Sequence, residues 1–169
     1  MQTALDRFST SIGTAQTAEE AWRLLEDLTR TVPGHLLFTV MTVDMEAGLA
    51  RRAYTSHPRE YPVSGTKPIE RDRWFDIVHG KRQSFVANTI EDIATVFPDH
   101  ALIASLGCGS VLNLPVVLSN DLVATINLLA EPGHYTEDLV KEAEALLKLP
   151  ASLCAALAAL LDTSRKTPD

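Results

Sequence analysis

Between Ser110 and Ala130 the chain alternates between apolar and polar positions, and the alternation crosses a turn. In SVLNLPVVLSNDLVATINLLA, Leu112, Leu114, Val116, Ala124, Ile126 and Leu128 are all apolar. The intervening positions set Asn113, Thr125 and Asn127 among Val111, Pro115 and Leu129. Ser119-Asn120-Asp121 carries turn chemistry. The pattern predicts two paired strands, because strand side chains alternate between faces. One face suits packing on helices; the other presents two amides and a hydroxyl. That second face is either a solvated sheet surface or the floor of a small-molecule pocket. Its asparagines can bond a ligand, water or each other.

Helical periods flank this unit. Ala4–Ile12 reads as a first short helix. Thr17-Ala-Glu-Glu20 fits a capping box, in which hydroxyl and carboxylate satisfy free amides at a helix start. Ala21, Leu24, Leu25, Leu28 and Val32 follow at helical spacing, and Pro33-Gly34 stops the run. Leu36–Asp44 is β-branched and apolar, hence a strand, and Leu49–His57 returns as a second one after Glu46-Ala47-Gly48. Pro58–Pro68 reads as a loop. Arg71–Gly80 predicts a short helix, Gln83–Ala87 a short strand, Thr89-Ile-Glu-Asp92 a helix start, and Phe97–Leu106 a further helical piece with Asp99 as its cap. After Ser110–Ala130, Thr136 caps a final helix carrying Leu139, Val140, Ala143, Leu146 and Leu147. Pro150 is expected to kink or restart it. Residues 1–162 form one domain, and the polar tail, 163–169, is expected to be flexible.

Composition narrows the classes. With 46% hydrophobic and 22% charged residues over 169 positions, the chain has ordinary globular composition and room for a core. A net charge of −7, with no basic run interleaved with aromatics, argues against nucleic acid. The longest apolar tract, Leu146–Leu161, is interrupted by Lys148, Pro150 and Ser152, so no membrane span is expected. Two cysteines make no disulfide framework, and the N-terminus lacks a basic segment followed by an apolar one. These features lead us to expect a cytoplasmic protein with reduced thiols.

The order α-α-β-β-(α-β-α)-β-β-α is an α+β layout. That order, with Ser110-Val-Leu-Asn-Leu-Pro115 leading into a hairpin and an apolar strand, resembles the GAF domain family over roughly residues 15–160. The resemblance implies an antiparallel five- or six-stranded sheet of the PAS/GAF type. The N- and C-terminal helices would cover one face. A loop-and-helix roof, about 58–108, would close a ligand pocket on the other.

Catalytic readings are weaker. The chain distantly resembles free methionine-R-sulfoxide reductases, which are GAF enzymes, but lacks their cysteines. The resemblance sets their catalytic thiol near Leu102 or Ile103 and a second one near Trp74. Their substrate-binding carboxylates fall at Val111, Asn127 and Leu129. Sulfoxide reduction needs a thiolate, and Cys108, between Gly107 and Gly109, is the one candidate left. Asp99-His100 is a candidate pair for proton transfer. The histidines, His35, His57, His79, His100 and His134, show no metal-ligand spacing. No cofactor is identified.

Binding chemistry is better supplied. A pocket needs apolar walls and a few placed polar groups. The strand face offers Asn113, Thr125 and Asn127. The roof offers Trp74, Phe75, His79, Phe97, Asp99, His100, Ser105 and Cys108. The second strand offers Tyr54, with Arg52 and Ser56 on the same face; Arg52 is read as an exposed strand residue. Such a set suits a heterocyclic or amino-acid-like metabolite. The expected function is a small-molecule-binding sensory domain without an attached output domain, signalling through a partner protein. The alternatives are a reductase using Cys108 and a ligand-free dimeric interaction module. Ala151–Leu161 has little polar face beyond Ser152. A homodimer through the terminal helices is therefore expected, or else burial of that segment against Ala21–Val32.

Overall fold

The computed structural model describes residues 3–164. Six strands form one antiparallel sheet in the order β3-β2-β1-β6-β5-β4. The strands are β1 (Leu37–Asp44), β2 (Leu49–Thr55), β3 (Thr66–Pro68), β4 (Phe85–Ala87), β5 (Ser110–Leu118) and β6 (Asp121–Ala130). β3 lies within the segment expected to be loop and extends the sheet at its β2 edge. At the other edge, β4 covers only Val111–Asn113 of β5, and β5 runs on to Leu118.

Helices α1 (Ala4–Ile12), α2 (Ala18–Thr29) and α6 (Glu137–Ser164) pack on one face. Thr3 and Asp6 make a reciprocal capping box at α1. At α2, Thr17 caps Glu20, but the Glu20 carboxylate accepts instead from the Gln16 amide at 2.7 Å. The predicted apolar row of β5 and β6, Leu112, Leu114, Val116, Ala124, Ile126 and Leu128, lies in this layer with Trp22, Leu25, Phe38 and Val40.

α6 is one helix of 28 residues that continues through Pro150, so the expected kink or restart does not occur. Proline removes one helical bond. The inner face, with Ala143, Leu147, Ala151, Cys154 and Ala155, is buried against the core and offsets that loss. The helix is long and apolar enough by composition to cross a membrane, and its inner face is spent on this core. Its outer face leaves Leu149 77% exposed. Burial within the chain thus covers one side of Ala151–Leu161 and not the other. Thr163 and Ser164, assigned to the flexible tail, are helical; residues 165–169 lie outside the described residues.

The opposite face is roofed by α3 (Arg73–Phe75), which continues into a π-helical turn (Asp76–Gly80), and by α4 (Ile90–Ala94) and α5 (His100–Ser105). Val78, Ile93, Ile103 and Cys108 from the roof meet Leu37, Phe85, Val111 and Leu129 of the sheet in a second core.

Candidate functional site

Strand register builds the floor. Asn113 of β5 stands opposite Asn127 of β6, and Asn127 stands opposite Thr39 of β1. All three face the roof, because their neighbours in sequence face the helices. Directly opposed side chains lie within hydrogen-bonding reach. Asn113 Nδ2 donates to Asn127 Oδ1 at 2.8 Å, and Asn127 Nδ2 donates to Thr39 Oγ1 at 3.2 Å.

The roof sets the direction of this chain. Asp72 caps α3 by accepting from the Phe75 amide at 2.9 Å. Trp74 Nε1, on the same turn, donates to Asn113 Oδ1 at 2.9 Å. An indole N–H can only donate. It therefore fixes the carbonyl of Asn113 towards Trp74, its NH2 towards Asn127, and the amide of Asn127 in the same sense. Among the described residues each asparagine keeps one N–H and one lone pair unused.

Between floor and roof lies a cavity of about 300 Å³. Leu37, Met41, Val43, Val111, Leu122 and Leu129 give it apolar sheet walls, and Phe97, Val96 and Ile103 give it an apolar roof. This combination of apolar walls and a few convergent polar groups is the usual make-up of a small-molecule site. At one side Phe75 stacks on His79, with centroids 4.4 Å apart and 15° between planes. Burial, then the positive charges of Arg82 and Arg71, hold the His79 imidazole below its ordinary range and favour its neutral form. At the other side Tyr61 Oη donates to Asp99 Oδ2 at 2.8 Å, tying the loop after β2 to the roof.

The structure thus brings Asn113, Thr125, Asn127, Trp74, Phe75, His79, Phe97 and Asp99 around one cavity. Asp99 caps no helix through its side chain; its carboxylate serves Tyr61 instead.

Four expected residues are elsewhere. Tyr54 faces the helices, where its hydroxyl donates to Glu26 at 2.7 Å. The cause is a bulge: Val40 pairs with Tyr54 and Met41 with Arg52, leaving Ala53 extra. His100 sits within α5, its Nδ1 donating to the Phe97 carbonyl at 3.1 Å, and does not reach the cavity. Ser105 is exposed and bonds the Leu102 carbonyl at 2.7 Å. Cys108 is 3% exposed inside the second core. Burial and the charge of Glu131 push its thiol up to about 11, so it holds no thiolate at neutral pH.

Arg52, read from sequence as an exposed strand residue, lines the cavity, as do Thr39, Met41 and Tyr61. The alternation of Leu37, Thr39, Met41 and Val43 carries the same period-two signal as β5 and would have found the β1 contribution. Among the described residues no group of three or more metal-ligating side chains converges.

No protein-family model matches the sequence, and no curated protein does. Solved structures are similar in fold. The GAF domain of a two-component sensor histidine kinase from Bacillus halodurans superposes with a TM-score of 0.67 at 15% identity, covering 88% of this chain and 99% of that one. The GAF domain of a phosphoenolpyruvate-protein phosphotransferase from Coxiella burnetii gives 0.67 at 14% identity, covering 96% and 95%. The chromophore-binding domain of a bacteriophytochrome from R. palustris gives 0.68 at 10% identity, covering 95% of this chain and 62% of that one. With its six-stranded antiparallel sheet, helices on one face and a roofed cavity on the other, the chain has the GAF-domain fold.

Proposed function

We propose that this protein is a sensory domain that binds a small heterocyclic or amino-acid-like metabolite between sheet and roof and relays occupancy to a partner protein. The observation that carries the reading is the directed chain Trp74–Asn113–Asn127–Thr39, which lines a cavity and leaves amide donors and acceptors unused. A ligand that bonds those amides competes with or reinforces the Trp74 contact. Binding therefore shifts the balance of roof positions. The fold's appearance in sensor histidine kinases and a bacteriophytochrome is consistent with this role.

A ligand-free interaction module is the second reading. It accounts for the bond between Asn113 and Asn127, but it also requires a filled cavity, and about 300 Å³ is open. The burial of Cys108 away from the cavity counts against the reductase reading.

For assembly we propose a second copy on the outer face of α6. Leu149, Leu153, Ala156 and Leu160 recur there at four-, three- and four-residue spacing, the pattern of a helix-pairing seam.

Native mass spectrometry of freshly purified protein tests both parts. The expected result is a dimer that retains a stoichiometric small molecule and loses it on Asn127→Leu. A protein that retains nothing and gains no thermal stability from a metabolite extract overturns the sensory reading; a monomer overturns the α6 seam.

A further inference from the structure

We infer that the ligand of this cavity is a small organic carboxylate whose anionic group is taken by Arg52. The inference rests on the small-molecule reading above and adds the chemical class.

The first ground is an uncompensated charge. Arg52 is half-buried and lines the cavity. Its Nη1 donates to the Pro62 carbonyl at 3.1 Å, and its guanidinium lies over the Tyr61 ring, 5.0 Å from the centroid. Its Nε is buried with no hydrogen-bond partner, and no carboxylate stands within ion-pair distance of it among the described residues. That unsatisfied Nε–H, on a cation with no anion beside it, is the opening a ligand carboxylate fills. The planar fork of arginine matches a carboxylate in two parallel bonds.

The second ground is the backbone irregularity that puts Arg52 there. On a regular β2, Arg52 would share the helix-side face with Tyr54. The bulge at Ala53 turns Arg52 to the cavity while Tyr54 keeps its bond to Glu26. Bulges concentrate where a site needs a side chain re-aimed.

The third ground separates carboxylates from phosphates. Besides Arg52, the charged residues of the cavity lining are Lys67, Glu70 and Asp99, all exposed, and the half-buried Asp72, which accepts from the Phe75 amide. One inner cation, with Asp72 the one acid that is not exposed, suits a single negative charge. A phosphate dianion would meet more repulsion than one arginine offsets. The apolar walls and the amides of Asn113 and Asn127 then receive an uncharged planar body.

Matched probes test the class on the intact protein. Benzoate is compared with benzamide, indole-2-carboxylate with its amide, and phenyl phosphate serves as the dianion, all by isothermal titration and thermal shift at millimolar concentration. The expected result is that each acid binds at least tenfold tighter than its amide and than phenyl phosphate. Arg52→Gln should erase the preference for the acids without erasing amide binding, and Arg52→Lys should keep part of it. Amides binding as tightly as acids, or a preference that survives Arg52→Gln, overturns the carboxylate class and leaves the small-molecule reading standing. Tightest binding by phenyl phosphate overturns it in favour of a phosphate-bearing ligand. No binding by any probe overturns the class; retention of a small molecule in native spectra then decides the broader reading separately. Unchanged circular dichroism of the Arg52 variants shows that a loss reflects the site and not the fold.

Discussion

Arg52 and Tyr54 stand two positions apart on β2 and face opposite sides of the sheet. The extra residue between them, Ala53, gives one strand two tasks. Arg52 supplies charge to the cavity, and Tyr54 anchors the strand to α2 through a Glu26 that is only 4% exposed.

The anchor has a pH signature. Burial would raise the carboxyl of Glu26, but the His35 imidazole, the Tyr54 hydroxyl and the Arg30 guanidinium outweigh it and hold the group below its ordinary 4.5. A depressed acid contributes stability that is present above its unfolded value and lost as pH falls through its folded value. In urea unfolding, the wild type should therefore lose stability as pH drops below 4.5, and Glu26→Gln should lose less over the same interval. Tyr54→Phe removes one charge-assisted bond and should cost about 2 kcal/mol at pH 7. Equal acid sensitivity of wild type and Glu26→Gln would remove Glu26 from the account.

The asparagine pair should behave as one unit. Asn127→Leu leaves the Asn113 NH2 and the Thr39 hydroxyl without their partner; Asn113→Leu strands the Trp74 indole and the Asn127 carbonyl. Each single change is expected to cost about 2 kcal/mol, because an unsatisfied buried polar group costs more than a bond is worth. The double variant should fall short of the sum by about 1 kcal/mol, since the bond between the two amides is lost only once. Strict additivity in a chemical-denaturation cycle would show that the amides act separately.

Thiol titration checks the placement of both cysteines. Burial pushes Cys154 up to about 12, and its Sγ lies 3.3 Å from the Ala21 carbonyl. Cys108 is raised to about 11. Neither should react with a disulfide reagent in the native protein at pH 8, and both should react on unfolding. Fast native labelling of Cys108 would restore it as a nucleophile.

The parts of the site that lie on regular strands were legible from spacing. Asn113, Thr125 and Asn127 fall on one face because β5 and β6 keep period two through them. The error at Tyr54 has one source: a bulge shifts the period by one and leaves no mark in the residue pattern. Tyr61 and Asp99 are joined across 38 positions by tertiary packing, which local spacing does not encode. Pro150 departs from its local preference for a related reason. Its local preference breaks helices, and the buried alanine face around it overrides that preference.

The short reach of β4 has a consequence for colloidal behaviour. Beyond Asn113, β5 has no strand on its outer side among the described residues, a geometry that invites another chain to zip on and seed fibrils. Pro115 interrupts that stretch and has no N–H to offer an incoming backbone. Arg82, meanwhile, reaches across to the Asn120 carbonyl at 3.3 Å and hangs a positive charge beside it. The open side of the sheet is thus a poor template, and the molecule can leave β4 short without courting aggregation.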